Sequence, residues 1–182
     1  ASRVYVSNGE NAMSYYDINT GAIVVYTSLT TPSTPTVTRT GLSGTTYTYY
    51  YKITANNAVG ESAASAADSE QASKLRDNWT SASEYMDITW SSVSGALSYN
   101  IYMGTTAGEE QYLATVDGSS LAYRDDASVA PNPFKTAPDF NSTEGPILRY
   151  MWNTDGRLWG VGDVNHPDYL WYDGGAGAEG IF

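Results

Sequence analysis

The chain of 182 residues contains no cysteine, which excludes disulfide bonds, thiolate zinc sites and a cysteine nucleophile. Basic residues are scarce: nine stand against 20 acidic ones. The resulting net charge of −11 argues against sequence-independent binding to the phosphates of nucleic acids. No apolar run approaches the ~18 to 20 residues of a membrane-spanning helix. The composition therefore predicts neither nucleic-acid binding nor a membrane span.

Tyrosine, tryptophan and glycine are abundant instead, with 16, five and 17 copies. Aromatic residues favour strands and glycine favours turns, so we predict an all-β fold. With 41% hydrophobic residues, the chain can bury a core. Residues 63–75 are the one helix-compatible stretch, but they lack an apolar stripe, and both a helix and an extended crossover remain open there.

The clearest predicted strand is a tyrosine-rich stretch in the first half of the chain. Aromatic, β-branched and small apolar residues occupy every second position there, and mostly polar residues lie between them. The residues of the apolar set are Tyr47, Tyr49, Tyr51, Ile53 and Ala55. This period of two is typical of a half-buried strand. Residues 56–60 include two asparagines and a glycine, which predict a turn at its end.

Two proline-rich stretches, residues 30–35 and 131–138, are interpreted as linkers. They divide the chain into an N-terminal meander at 1–29, a central strand-rich domain at 30–130 and a C-terminal hairpin segment at 131–182. The meander and the C-terminal segment are each too small to bury a core alone.

Within the meander, residues 3–7 and 22–28 are predicted strands around a short segment at 13–17. In the C-terminal segment, Asp155-Gly156 lies between apolar stretches and predicts a hairpin turn.

The two ends of the chain resemble each other. Each has an arginine followed two residues later by an aromatic residue, then a glycine, an asparagine and a pair of aromatics before an aspartate. The matching residues are Arg3, Tyr5, Gly9, Asn11, Tyr15, Tyr16 and Asp17 at one end, and Arg157, Trp159, Gly162, Asn165, Trp171, Tyr172 and Asp173 at the other. A repeated strand–turn–strand unit, as in propeller blades, would explain the match, and chance similarity in a Tyr- and Gly-rich chain is the alternative.

The central domain resembles the fibronectin type III family in two stretches. Ala55, Asn57, Gly60 and Ser62 match the tail after that family's strand F, with Tyr47 or Tyr49 as its corner tyrosine. Residues 86–125 resemble the beginning of the same family, with Trp90 as its core tryptophan.

The resemblance implies a β-sandwich with permuted strand order, because the family's late strands come first in this chain. Two incomplete domains are the less favoured alternative, since half a sandwich leaves an apolar face in water. The expected sandwich core comprises Tyr49, Tyr51, Ile53, Trp90, Tyr99 and Ile101.

The two ends also resemble tail or nozzle-type proteins of short-tailed bacteriophages, in which propeller-like units form a tubular platform. The motifs that carry this resemblance are Asn8-Gly9 with Asn11, residues 143–148, Asp155 to Trp159, Asn165 with Pro167, and Trp171 to Asp173. The resemblance implies a structural virion protein of the phage tail. Copies of itself and neighbouring tail proteins would be its partners, and neither catalysis nor a cofactor is expected.

Few residues suggest chemistry. His166 is the only histidine, so a Ser-His-Asp triad would require it, but it lies among turn formers. Acidic residues near the C-terminus could offer oxygen ligands to Ca²⁺, although their spacing does not match an EF-hand loop. Adjacent acids elsewhere could act as paired carboxylates in glycoside hydrolysis, but such pairs are usually surface charge. The candidate Ca²⁺ ligands are Asp163, Asp168 and Asp173, near Asn165. The candidate carboxylate pairs are Glu109-Glu110 and Asp125-Asp126.

Five aromatic residues near the C-terminus are candidates for binding or packing: Trp152, Trp159, Tyr169, Trp171 and Tyr172. Exposed aromatic rings could stack on sugars, which makes a carbohydrate-binding or host-surface adhesion module the alternative function, with a host glycan as partner. Core packing at alternating strand positions is the simpler interpretation.

Overall fold

The computed structural model describes residues 3–154, 157–164 and 167–172. Over these residues its regular elements are 14 β-strands and one 3₁₀ turn, Arg76–Asn78. The strand pairings are antiparallel throughout. The predicted all-β fold is therefore confirmed.

The strands are, in chain order, β1 (Arg3–Val6), β2 (Ser14–Asp17), β3 (Ala22–Val25), β4 (Thr36–Thr40), β5 (Tyr47–Asn56), β6 (Asp68–Ala72), β7 (Tyr85–Thr89), β8 (Ser98–Gly104), β9 (Gln111–Asp117), β10 (Ala122–Asp125), β11 (Asn132–Thr136), β12 (Tyr150–Thr154), β13 (Arg157–Val161) and β14 (Trp171–Tyr172).

The chain divides into two compact units. Unit 1 comprises Ala1–Leu29, Asn57–Glu61 and Asn141–Phe182, and unit 2 comprises Thr30–Asn56 and Ser62–Phe140. Unit 1 therefore contains β1–β3 and β12–β14, and unit 2 contains β4–β11. The sequence places the boundaries of the central domain at 29/30 and 130/131. In the structure unit 2 begins at the same boundary, 29/30, and ends at 140/141.

Unit 2 has one sheet in the order β10-β7-β4 and another in the order β11-β9-β8-β5-β6. The tyrosine-rich strand is β5, and it pairs along its length with β8, from Tyr50 opposite Gly104 to Asn56 opposite Ser98. Its hairpin partner is β6, where Tyr47 faces Ala72. The two stretches of sequence that resemble opposite halves of a sandwich thus both contribute strands to the five-stranded sheet.

The apolar side chains of β5 and β8 form the core of unit 2. All six residues expected there are buried: Tyr49, Tyr51, Ile53, Trp90, Tyr99 and Ile101. Ile53 lies directly opposite Ile101 in the sheet. The rings of Trp90 and Tyr99 pack edge to face with their centroids 5.5 Å apart. Such pairs add specific packing to the area that they bury.

A buried polar network lies within the same unit. The guanidinium of Arg76 donates from Nε to both carboxylate oxygens of Asp125, at 2.9 and 3.1 Å, and the Tyr51 hydroxyl donates to Asp125 at 2.7 Å. Burial, together with the Asp125 charge, raises the pKa of Tyr51 well above its usual value. Burial alone would lower the pKa of Arg76, but its bonds to Asp125 outweigh this effect and raise it. Each buried charge therefore has a partner, as a low-dielectric interior requires.

The structure corrects the sequence prediction at residues 131–138 and decides between the two alternatives left open at residues 63–75. The interpretation of residues 131–138 as a linker is wrong, because Asn132–Thr136 form β11 and pair with β9 at the sheet edge. Proline is tolerated at an edge because only one side of the strand must donate. Residues 63–75 take the extended alternative, with β6 in their middle.

Tyr49 is one of the two candidates for the corner tyrosine of the fibronectin-like stretch. Its hydroxyl donates to the carbonyl of Lys74 at 3.2 Å, a residue that follows the tyrosine in the chain.

Unit 1 consists of two three-stranded sheets, β1-β2-β3 and β12-β13-β14. The predicted meander is confirmed, and its short middle segment is the strand β2. Residues 57–61 contact residues 141–145 within the unit: Asn57 Nδ2 donates to the Thr143 carbonyl at 2.8 Å, and Ser142 Oγ accepts from the Glu61 N–H at 3.0 Å. Among the described residues of unit 1, the buried apolar ones are Met13, Leu29, Val59 and Leu148.

Candidate functional site: exposed sheet faces of unit 1

The sheet β1–β3 exposes one apolar face, here called the outer face. The register places two rows of three residues across it, Val4–Tyr16–Ile23 and Val6–Ser14–Val25. The exposed fractions of its five large residues range from 40% for Tyr16 to 74% for Ile23. The outer face contains no charged residue, although the chain has a net charge of −11.

Strand alternation explains why these residues lie together. Side chains two apart in a strand point to the same side, so valine at positions 4 and 6 and isoleucine and valine at 23 and 25 share one face. The opposite side carries Arg3, Tyr5 and Tyr15, which are all half-buried. Burial raises the pKa of Tyr26 beyond its usual range, with Tyr5 as a further cause, and its ring packs 5.6 Å from that of Tyr15. The side of this sheet that carries Arg3, Tyr5 and Tyr15 is therefore more buried than the outer face.

The sheet β12–β14 exposes a second face, here called the aromatic face, formed by Tyr150, Trp152, Trp159 and Tyr172. Trp152 lies opposite Trp159 in the register, and Trp159 lies opposite Tyr172. The rings of Trp152 and Trp159 are stacked, with an interplanar angle of 12° and centroids 6.5 Å apart. Trp159 and Tyr172 have centroids 5.4 Å apart. Trp152 and Tyr172, at the two ends of this row, are exposed, and so is Tyr150.

On the other side of β12–β14, Leu148 packs against Gly160. A Cβ on Gly160 would lie 2.1 Å from Leu148 Cδ1, so only glycine allows this close approach. Leu148 itself is fully buried. Trp171 lies on this side, because it pairs with Gly160, and Tyr169 packs against it with a centroid distance of 5.8 Å.

Three of the five aromatic residues predicted as a group therefore share the aromatic face, Trp152, Trp159 and Tyr172. Trp171 belongs to the opposite side, with Tyr169 packed against it. Sequence reasoning missed Tyr150, which lies two residues before Trp152 on the same strand face and could have been found by extending the alternation. It also missed the outer face of β1–β3, whose residues in β1 and β3 alternate just as clearly.

The two sheets share a repeated arrangement of side chains. Arg3 lies over the ring of Tyr15, with its Cζ 4.4 Å from the centroid, and Tyr5 lies opposite Tyr15. In the other sheet Arg157 lies 5.9 Å from the centroid of Tyr172, and Trp159 lies opposite this tyrosine.

In this structural match, Tyr15 is the counterpart of Tyr172. The sequence repeat, which aligns Asp17 with Asp173, instead pairs Tyr16 with Tyr172. The two alignments therefore differ by one residue. The loop between β1 and β2 and the loop between β13 and β14 each contain a glycine with positive φ, Gly9 at 73° and Gly162 at 75°. Both glycines pack against Arg149.

Three of the four acidic residues considered for catalysis have other partners, and the fourth, Glu109, is exposed. Glu110 is buried, and its Oε2 lies 3.0 Å from the ammonium of Lys52. Asp125 binds Arg76. The Ser128 hydroxyl donates to Asp126, and so does the Ser128 N–H, and the two bonds lower the pKa of Asp126. These contacts hold the local backbone and charges in place.

The residues considered for Ca²⁺ are only partly described. Asp163 is buried and accepts from the N–H of Ile147 at 3.3 Å, whereas Asp168 is exposed. Asn165, His166 and Asp173, like the Asp155-Gly156 turn, lie outside the described residues. Within the part of the chain that the structure describes, no group of three or more acidic or histidine side chains is placed to hold a metal ion.

A cleft of about 310 Å³ lies in unit 2, with Tyr49, Arg76, Met103, Glu109 and Gln111 among its lining residues. The Arg76 guanidinium beneath it is bound by Asp125, so the cleft offers no free buried charge for a ligand at that position.

Comparisons with known proteins give no match: no protein-family model, no curated protein and no solved structure is similar to this chain. Among the described residues there is no helix of the length and apolarity that crossing a membrane requires.

Proposed function

We propose that the protein is a structural component of a bacteriophage tail, acting through assembly with copies of itself and with neighbouring tail proteins. The observation that carries the proposal is that unit 1 exposes uncharged or aromatic faces on both of its sheets. Contiguous apolar patches of this kind mark interaction sites in folded proteins. The phage assignment within this proposal rests on the resemblance of the terminal motifs.

The outer face is large enough to form part of a protein–protein contact. Its five exposed side chains form a patch on the order of 400 Å², within the range of the largest patches on ordinary monomers, which are often functional. Stable interfaces bury ~1,200–2,000 Å² in total, so an assembly through this face needs further contacts around it.

The strand organisation supports a finer proposal about the fold. We infer that unit 2 is a permuted fibronectin type III-like sandwich, because β5 pairs with β8 and β7 lies between β4 and β10. We infer that the sheets of unit 1 are propeller-like units, because the Arg–aromatic–Tyr arrangement occurs in both. Three-stranded sheets with open edges offer further places for strands of neighbouring subunits.

Light scattering over a concentration series tests the assembly proposal. We expect a discrete multimer, or growth into rings or tubes, as the concentration of the 19.6 kDa chain rises. A monomer across the whole micromolar range would contradict it.

Carbohydrate binding is the second candidate, and the aromatic face is the observation that favours it. Two tryptophans beside exposed tyrosines offer aromatic surface to a sugar, and Arg157, which lies over the ring of Tyr172, provides hydrogen-bond donors. A host-surface glycan would then be the ligand, and the protein would act as an adhesion module.

A glycan screen with matched variants separates this candidate from assembly. Trp152→Ala should abolish binding if the face holds sugar, whereas Phe134→Ala should leave it unchanged, because Phe134 is 95% exposed on β11 of unit 2. Binding that survives Trp152→Ala, or no binding by the unaltered protein, would eliminate the candidate.

A further inference from the structure

The cleft of unit 2 has the size of a small binding site. It lies between the β8–β9 hairpin and the 3₁₀ turn, and its volume is about 310 Å³. Ligand pockets range over ~300–1,000 Å³, so this cleft suits a group no larger than an amino-acid side chain. Its apolar wall is formed by Tyr49, Leu75, Met103 and Pro131. A ligand with a short aliphatic stem therefore finds matching surface there.

Two carboxylates, those of Asp77 and Glu109, determine the charge of the cleft. Both residues line it and are exposed, and neither carboxylate has a hydrogen bond or an ion pair with another described residue. Arg76 lines the cleft as well, but Asp125 binds its guanidinium in the interior and neutralises it. A ligand that enters the cleft therefore meets a net negative charge, which favours a cation.

Asp77 is held in place by the buried network of unit 2. It follows Arg76 directly in the 3₁₀ turn, and the bonds from Arg76 to Asp125 fix that turn. Burial is the main cause that raises the pKa of Tyr49, and the charge of Asp77 also raises it. The Asp77 carboxylate therefore lies near the tyrosine that forms part of the apolar wall.

Glu109 is held in place from the hairpin side of the cleft. The next residue, Glu110, is buried, accepts a hydrogen bond from the Gly108 N–H at 3.0 Å and lies 3.0 Å from the Lys52 ammonium. The N–H of Glu109 itself donates to the Thr106 carbonyl at 3.2 Å. These contacts fix the loop before a ligand arrives, which lowers the cost of ordering it on binding.

We propose that the cleft binds an alkylammonium or alkylguanidinium group, the chemistry of a lysine or arginine side chain. The charged head is held by the carboxylates of Asp77 and Glu109, and the aliphatic stem packs on Tyr49 and Met103. A free small amine and a basic side chain of a partner protein both supply this chemistry. The inference goes beyond the proposed function and does not depend on it, because a monomeric chain has the same cleft.

Nuclear magnetic resonance titration of the whole chain tests the site. The probe is a tripeptide of glycine, lysine and glycine with blocked ends, and the same peptide with norleucine in place of lysine is the uncharged control. We expect the lysine peptide to shift the amide signals of Gly104, Thr105 and Thr106 and to bind with a dissociation constant of about 1 mM. The norleucine peptide should bind at least about tenfold more weakly.

Matched variants assign the binding to the two carboxylates. Asp77→Asn and Glu109→Gln should each weaken binding of the lysine peptide at least about threefold, the effect expected for one exposed ion pair. Asp139→Asn is the control, because it removes the same charge at an exposed position that does not line the cleft. All three changes are at exposed side chains, and circular dichroism checks that the variants are folded.

A second probe, 1,4-diaminobutane, distinguishes the two sources of the ligand. Tighter binding of the diamine than of the lysine peptide would identify a free amine, and the reverse order would identify a side chain of a partner protein. Either order supports the proposal if Asp77→Asn and Glu109→Gln weaken binding and Asp139→Asn does not. Equal binding of the lysine and norleucine peptides, equal effects of all three variants, or no shift up to about 20 mM would overturn it.

Discussion

The two units use their apolar residues differently. In unit 2, β5 and β8 bury nearly every large side chain, and even the charged Arg76 and Asp125 are paired inside. In unit 1, large apolar side chains on β1, β3 and β12 remain exposed. The comparison shows that strands can pair into a regular sheet and still leave one of its faces uncovered. Unit 2 thus encloses a core of its own, whereas unit 1 keeps apolar surface exposed, which our proposal assigns to a partner.

The largest expected effect concerns the interior of unit 2. Asp125→Ala would leave the Arg76 guanidinium buried without its counter-ion, at a cost of about 3–5 kcal/mol. Asp87→Ala breaks a bidentate pair with Arg124 at the surface and should cost much less, because solvent screens exposed ion pairs. Urea unfolding of both variants measures the difference. Equal losses would contradict the view that unit 2 depends on its buried network.

The same truncation in each unit sharpens the comparison. Ile53→Ala should lower the free energy of unfolding by about 2–5 kcal/mol, because Ile53 is fully buried. Ile23→Ala should change it by no more than about 0.5 kcal/mol in dilute solution, because Ile23 is mostly exposed. Urea unfolding at two protein concentrations checks both values. A large loss for Ile23→Ala at high dilution would show that the outer face is already covered within the single chain.

Gly160→Ala tests the side of β12–β14 on which Leu148 packs. The added methyl would overlap Leu148 Cδ1, and we expect a loss of about 1–3 kcal/mol from overpacking. Adding Leu148→Ala should recover part of this loss, so the double variant should be more stable than the sum of the two single effects predicts. Thermal unfolding of the three variants measures the coupling. Strict additivity would contradict the close packing of Leu148 on Gly160.

The smallest effect is a pH dependence in unit 2. The Lys74 ammonium and the Thr80 N–H bind the Glu84 carboxylate, which lowers the pKa of Glu84 from 4.5. A carboxyl group with a lowered folded pKa stabilises the fold above its unfolded pKa, and this contribution is lost as the pH falls through the folded pKa.

Glu84→Gln should therefore be less stable than the original chain at pH 7, and the difference should shrink at pH 3. Urea midpoints at the two pH values measure it, with Glu109→Gln as an exposed control. A difference that stays constant would contradict the assigned ion pair.

Much of the fold followed from local patterns. The period of two in residues 47–55 predicted β5, and the buried Ile53 and Trp90 were expected in the core. The strand β11 was missed because proline at positions 131, 133 and 138 suggested a linker, and only pairing with β9 stabilises its extended backbone. Neighbours distant in sequence decide such an edge strand, and local composition does not contain them.

The candidate site was predictable only in part. The aromatic face required knowledge of the register, because Trp159 faces Tyr172 rather than Trp171. A shift of one residue moves a side chain to the opposite side of the sheet, and sequence alone does not determine it when the turn is long. The exposure of the outer face could not be inferred either, since an alternating apolar strand looks the same whether or not something covers it.

Hydrogen exchange measured by mass spectrometry at low and high protein concentration tests the central claim most directly. We expect amide protection in β1–β3 to increase with concentration, while protection in β5 and β8 stays the same, because the proposed assembly covers exposed faces of unit 1 rather than the core of unit 2. Protection that is independent of concentration in both units would contradict the proposal that the chain assembles through unit 1.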